Sequence, residues 1–195
     1  MSVSAIVLAA GLSTRMGRTK ALVNLDGRIF LDLVISNVKA SGKIDDVIVV
    51  TGADHDEVSP HAIAFVATVA FNPNFRTGLM SSLQAGIRST PAGCQAALIC
   101  LVDMPLVKVD SIVRVVDFGR MQSRRLEEAL ARPFYLGHAG HPCLIGQKFF
   151  SDILAQEAAD QGAMFLFRIA KEELYRCDVS DPGVVRDFDR PEDLE

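Results

Sequence analysis

The chain has 195 residues, of which 49% are hydrophobic and 23% charged, with 20 Lys and Arg against 24 Asp and Glu for a formal net charge of −4. That length and balance suit one folded domain over residues 1–195 with a substantial core and exclude a disordered chain. An acidic balance argues against a nucleic-acid partner, and no apolar run approaches the roughly 20 residues of a membrane span. 

The first strand is expected over Ala5 to Ala9, bounded at once by Gly11. The chain opens Met-Ser-Val-Ser-Ala-Ile with no basic segment ahead of that strand, so the expected location is cytoplasmic. Phe30, Leu31, Leu33, Val34 and Val38 fall at helical spacing, with Gly42 as a stop. Asp46 to Thr51 reads as a buried strand ending at Gly52, Ala62 to Phe71 as another strand, and Ser81 to Arg88 as a helix. Ala96-Ala-Leu-Ile-Cys-Leu-Val102 is the strongest strand and ends at Asp103. A helix is expected over Val107 to Phe118, and then a strand over Ala129 to Tyr135, which Pro133 should confine to an edge or a bulge. Phe149 to Leu154 and Ala163 to Ala170 read as helices, and Glu173 to Val179 as a last strand. This order predicts an α/β fold, a Rossmann-like mostly parallel sheet with helices on both faces, followed by a smaller irregular or antiparallel portion. Cys94, Cys100, Cys143 and Cys177 form no C-x-x-C pair and read as buried free thiols.

Leu8-Ala-Ala-Gly-Leu-Ser-Thr-Arg-Met-Gly-Arg-Thr-Lys20 follows the first strand directly, where open α/β sheets bind ligands. Gly11 and Gly17 permit turns whose backbone N–H groups can cup an anion, and Arg15, Arg18 and Lys20 add three cations suited to phosphate oxygens. The spacing fits neither a P-loop, which needs Lys after its second glycine, nor the G-x-G-x-x-G dinucleotide fingerprint. A solvated basic loop with two turn glycines is the bland alternative. Asp103, at the carboxyl end of an apolar strand and before Met104-Pro105, is placed either to ligate magnesium or to cap a helix. Ser81 and Ser82 lie where a helix begins, beyond the loop punctuated by Pro73 and Gly78, and either could cap it.

The segment Leu8 to Lys20 resembles, at every defined position, the L-A-A-G-x-S-x-R-M-G-x-x-K signature of the nucleotidyltransferases of molybdenum cofactor biosynthesis. Ala9-Ala10-Gly11 looks like the cytidylyltransferase branch rather than the guanylyltransferase branch. The resemblance implies the fold of nucleotide-diphospho-sugar transferases, with CTP as donor and a molybdopterin-type phosphorylated acceptor. It implies Mg2+ as cofactor and possession of a molybdoenzyme client. Arg15 and Lys20 would then neutralise the triphosphate, within a site formed by Ala9, Ala10, Gly11, Ser13 and Gly17. Asn72-Pro-Asn-Phe-Arg-Thr-Gly-Leu-Met-Ser-Ser-Leu83 is similar to the family's base-recognition loop, with Gly78 packing against the base and Ser82 hydrogen-bonding it.

Near the C-terminus, Asp-Arg-Pro-Glu-Asp-Leu194 resembles the family's D-T-P-E-D-L ending. That makes Asp189 the second metal ligand beside Asp103, with Asp187 in reserve. Pro191, Glu192 and Asp193 would start a terminal helix. Gly137-His-Ala-Gly-His-Pro142 is similar to the family's G-H-P segment, which makes Gly140, His141 and Pro142 acceptor-side residues, with His141 as a hydrogen-bond donor. His138 and His141 give only a weak zinc signal, and His55 and His61 read as surface residues. Asp160-Gln-Gly-Ala-Met resembles a D-x-G-A-R stretch in which Met164 stands at the arginine position, with Arg168 one helical turn on as its substitute. Two other readings stand beside this one: a sugar- or alcohol-phosphate nucleotidyltransferase with the same loop and metal, and a non-catalytic cofactor-binding chaperone.

Overall fold

The computed structural model describes residues 2–157, 164–169 and 175–194. In chain order the elements are β1 (Val3–Leu8), a short hairpin of β2 (Asn24–Leu25) and β3 (Arg28–Ile29), α1 (Phe30–Ala40), β4 (Asp46–Thr51), α2 (His55–Ala64), β5 (Thr68–Phe71), α3 (Leu79–Arg88) and β6 (Ala96–Leu101). There follow α4 (Val109–Gln122), β7 (Leu130–Tyr135), β8 (His138–Ala139), β9 (Cys143–Gly146), α5 (Phe150–Ala155), α6 (Met164–Ile169) and β10 (Arg176–Asp178).

The main sheet runs β10-β7-β9-β6-β1-β4-β5, with β8 also paired to β7. β1 pairs in parallel with β4 and β6, and β4 with β5. β9 is antiparallel to both β6 and β7, so a mixed portion extends the parallel half on the β6 side. Alternation along the strands sorts the core into two layers. Val3, Ala5 and Val7 face α1, α2 and α4, whereas Ile6 and Leu8 face α3, α5 and α6. The sheet is thus covered on both faces, which is why β1, β4 and β6 read as continuous apolar runs.

Three expectations need correcting. Ala62–Ala64 is the last turn of α2 rather than strand, and the strand begins only at Thr68. The helix ends through Val66 at φ 56°, with Ala67 N–H donating to Ala62 O at 3.1 Å. A β-branched residue in the position that usually calls glycine hides that stop from the sequence. Pro133 lies on β7, an interior strand between β10 and β9, not an edge. It is tolerated because pairing on one side of β7 passes there from β9 at Leu130 and Ala131 to β8 at Phe134 and Tyr135. The Pro133 carbonyl is used by the Gly140 N–H at 2.8 Å. The C-terminal residues Pro191–Leu194 form one turn of 3-10 helix. Residues 158–163 and 170–174, which include Asp160, part of the expected 163–170 helix and the start of the expected 173–179 strand, lie outside the described residues. All four cysteines are buried and unpaired, and no described helix is long and apolar enough to cross a membrane.

The C-terminal segment returns to the carboxyl end of β6. Phe188 N–H donates to the Asp103 carbonyl at 2.9 Å. The Phe188 ring is fully buried and meets Phe30 edge-on, with centroids 5.3 Å apart. Phe188→Ala should cost about 3–5 kcal/mol of stability, read by denaturant unfolding, because it opens a cavity at this seam.

Candidate functional site

The carboxyl ends of β1 and β6 lie side by side, Leu8 opposite Leu101, so the loops that leave them face each other. The cleft between them has a volume of about 490 Å³. Leu8 to Arg15, Thr19, Lys20, Gly78, Ser82 and Asp103 line it, among others. Sequence reasoning singled out most of these residues; Gly17 and Arg18 are not among those that line the cleft.

Ser13 organises the glycine turn from a left-handed backbone at φ 52°. Its carbonyl accepts from Met16 and Gly17 N–H at 3.1 Å, and its Oγ accepts from Lys20 N–H at 3.0 Å. Met16, buried in the core, pins the loop from below. Among the described residues nothing in the chain accepts from the N–H groups of Gly11, Leu12, Thr14 or Arg15. Those donors are free for the oxygens of an anion, as in other backbone anion nests. Two further constraints escaped the sequence reading. Thr19 Oγ1 donates to Asp54 Oδ2 at 2.8 Å, tying the end of the turn to the start of α2. At Gly52 a Cβ would strike the Ala10 carbonyl, so only glycine lets the end of β4 lie against the turn.

The second wall depends on Asn72, a buried side chain that sequence reasoning did not single out. Its Nδ2 donates to Ser81 Oγ at 2.9 Å and Ser82 Oγ at 3.0 Å, and its Oδ1 accepts from Asn74 N–H at 2.9 Å. Neither serine side chain caps α3; Ser81 is tied to Asn74 and Gly78 carbonyls, while Ser82 reaches the cleft. Gly78, at φ 111°, makes the turn into α3 in a conformation that other residues rarely adopt. Phe75 and Arg76, with the guanidinium 5.2 Å from the ring centroid, complete this wall. The residue pattern N-P-N-F-R-T-G held both.

At the mouth of the cleft three distant segments meet on one ammonium. Lys20 Nζ donates to Asp103 Oδ2 at 2.8 Å and to Asp189 Oδ1, and Arg15 pairs with the other Asp189 oxygen. Asp189 is set in place by Asp193, whose Oδ2 accepts from both Asp189 N–H and Arg190 N–H at 2.7 Å. Asp187, one strand-like step away, is exposed. Burial opposes the charge on Lys20, but the hydrogen bonds it donates to Asp103 and Asp189 and their negative charge outweigh it and raise the ammonium's pKa above its ordinary value. The hydrogen bond from Lys20 holds the Asp189 carboxyl below its ordinary value. Asp103 and Asp189 are each roughly a quarter exposed, at 22% and 24%. Two partly exposed carboxylates aimed at one cation form a hard oxygen donor set that fits magnesium or a similar divalent ion, which completes its shell with water and phosphate oxygens. No third His, Cys, Asp or Glu joins a metal-ligating group among the described residues.

The residues expected on the acceptor side, Gly140, His141 and Pro142, do not line the cleft itself. A Cβ at Gly140 would run into the Val184 carbonyl, and His141 N–H donates to that same carbonyl at 2.8 Å, so this segment is packed against the C-terminal chain. His141 lines two small cavities behind Leu101 rather than the cleft itself, and Pro142 lines one of them. Burial, reinforced by Arg132, lowers the His141 pKa to about 4. His138 is exposed on the hairpin. His55 is in contact with Thr51 and Ser59 and with the Phe71 ring, so it is more than a surface residue. Arg168 is exposed, whereas Met164 Sδ meets the buried Arg132.

The His141 shift has a testable consequence. Because the folded pKa of about 4 lies below the ordinary 6.5, the unfolded chain takes the proton first as pH falls. His141 therefore contributes full stability above 6.5 and loses it as the pH drops toward 4. Denaturant unfolding of wild type and His141→Asn should show wild type losing ground to the variant over that interval, with the difference flat above it.

Comparison with known proteins places this geometry in context. A curated relative is the molybdenum cofactor cytidylyltransferase of Escherichia coli (strain K12), 25% identical over 194 residues, covering 99% of this chain and 94% of that one. The nicotine blue oxidoreductase of Paenarthrobacter nicotinovorans is 27% identical over 196 residues, covering 98% and 94%. Among solved structures, Rv0371c from Mycobacterium tuberculosis superposes with a TM-score of 0.78 at 20% identity, covering 99% of this chain and 95% of that one; a manganese complex of Rv0371c is also known. The model of the MobA-like NTP transferase domain matches residues 5–175, and the chain belongs to that family.

Proposed function

We propose that the protein transfers CMP from CTP to a molybdopterin-type phosphorylated acceptor and releases pyrophosphate. The observation that carries this reading is the meeting of Lys20, Arg15, Asp103 and Asp189 at the mouth of the cleft walled by the glycine turn. A triphosphate laid along that turn finds free backbone N–H groups and two cations, while Asp103 lines the same cleft and Asp189 is paired with those two cations.

The base would lie between the turn and the Gly78–Ser82 wall, with Ser82 Oγ as its hydrogen-bonding group. Lys20 and Arg15 would turn from the carboxylates to the phosphates and offset the charge gathering on the departing pyrophosphate. Asp103 and Asp189 would hold a magnesium ion, which when bound supplies charge neutralisation at the α-phosphate. In the transfer, an acceptor phosphate oxygen forms a bond to the α-phosphorus in line with the bond to the β-phosphate oxygen, which breaks. No protein nucleophile is required, and alignment and electrostatics supply the rate. The preference for CTP rests on Ala9-Ala10-Gly11 and on the E. coli relative's name. Related guanylyl and sugar- or alcohol-phosphate transfer use the same machinery with another base or acceptor. The place of action would be the cytoplasm.

Two measurements test this reading. Asp103→Ala should lower pyrophosphate release with CTP and molybdopterin by about 100-fold or more while leaving the thermal midpoint near that of wild type. Normal turnover in that variant sinks the role of the acidic pair. With magnesium present, CTP should raise the melting temperature more than GTP does; the reverse order moves the protein to guanylyl transfer.

A further inference from the structure

Asn72 follows β5 directly, and its N–H donates to the Thr51 carbonyl at 2.9 Å, so the sheet rather than the loop sets its place. Its side chain, 3% exposed, is spent inside the protein. Oδ1 accepts from the Asn74 N–H at 2.9 Å, and a backbone N–H can only donate. That contact fixes which way round the amide lies, with its NH2 end toward the serines. Nδ2 donates to Ser81 Oγ at 2.9 Å and to Ser82 Oγ at 3.0 Å. Asn72 therefore has nothing left to offer a ligand, and it lines no part of the cleft.

A hydroxyl carries a single proton beside its lone pairs, so an N–H that fills a lone pair leaves the proton to find an acceptor elsewhere. Ser81 spends its proton within the loop, on the Asn74 carbonyl at 2.9 Å and the Gly78 carbonyl at 2.8 Å. Ser82 differs. Among the described residues nothing accepts from its Oγ, although the residue is only 5% exposed. Ser82 lines the nucleotide cleft, and that is the open space to which its proton can turn. An unspent proton on so buried a hydroxyl calls for an acceptor that the chain does not supply.

We propose that Asn72 is a positioning residue that fixes Ser82 as a hydrogen-bond donor toward the cleft, so that the site favours a nucleobase offering an acceptor there. With an acceptor at position 72 in place of the NH2 group, Ser82 would donate backwards and show the cleft a lone pair instead. Cytosine suits the observed polarity, because N3 and O2 on its pairing edge are both acceptors. Guanine places N1–H and N2–H donors on that edge beside O6. This inference rests on the reading of the Gly78–Ser82 wall as the base's, and adds to it the sense of the hydrogen bond and the residue that sets it.

The test exchanges the polarity of position 72 while keeping its shape. Asn72→Asp retains an acceptor for the Asn74 N–H but turns another acceptor to the serines, and at about pH 8 the donors around it keep the carboxyl ionised. Magnesium-CTP, magnesium-GTP and base-free tripolyphosphate are titrated calorimetrically into wild type, Asn72→Asp, Ser82→Ala and the double variant. The same cycle is run with Asn72→Ala, which removes the donor without adding a charge. CTP should bind each single variant about tenfold more weakly than wild type, and each double variant no more weakly than Ser82→Ala. Tripolyphosphate should bind all of them alike, which also shows that the cleft has kept its fold. Losses that multiply in the double variants, or wild-type CTP affinity in the position-72 variants, overturn the proposal. So does weakened tripolyphosphate binding in both position-72 variants, which makes the asparagine a support of the loop's shape alone. If the coupled losses appear on GTP rather than CTP, Asn72 keeps its role and the cytidylyl reading falls. If CTP is preferred and the losses multiply, the reverse holds; a wild type that binds neither nucleotide overturns both.

Discussion

A single ammonium group, on Lys20, holds the site together. It joins the glycine turn to Asp103, 83 residues away, and to Asp189, 169 residues away. With Arg15 included, two cations face two carboxylates in this cluster, and Arg76 adds a further cation to the wall of the cleft. A ligand carrying only one sign of charge would leave half of that cluster without partners. A metal–triphosphate pair supplies a cation for the acids and an anion for Lys20 and Arg15 together.

The sheet makes this meeting possible. Parallel pairing of β1 with β6 puts their carboxyl ends in register, and the loops beyond them become opposite walls of one cleft. The antiparallel β9 then extends the sheet and carries the cis His141-Pro142 segment beside the same cleft. Leu101 on β6 lines both the cleft and the small cavity that His141 also lines.

Much of this was legible in the residues and some was not. The strands β1, β4 and β6 announced themselves because burial on both faces demands unbroken apolar runs. The glycine turn and Asp103 were legible because their chemistry is concentrated within a few positions. Helix α2 was hidden: its buried face consists of Val58 and Ala62, and Pro60 sits inside it. The hairpin of β2 and β3 did carry a signal, Asp26-Gly27 with both residues at positive φ, which the reading passed over. Asn72 and Arg132 could not be singled out, since what distinguishes them is burial, and burial of a polar side chain is a property of the tertiary fold. That the His141 main chain is committed to Val184 was likewise invisible in the residues, because the two are brought together only by the tertiary fold.

Asp189 reaches the site through a segment held by Phe188 against the Asp103 carbonyl and shaped by Asp193. In chain order the glycine turn follows the first strand of the sheet, whereas Asp189 comes only after the last of them, β10. The strand pairings therefore do not depend on the segment that carries this acid. Loosening that segment would part Asp189 from Lys20 and Arg15 while leaving every strand of the sheet paired.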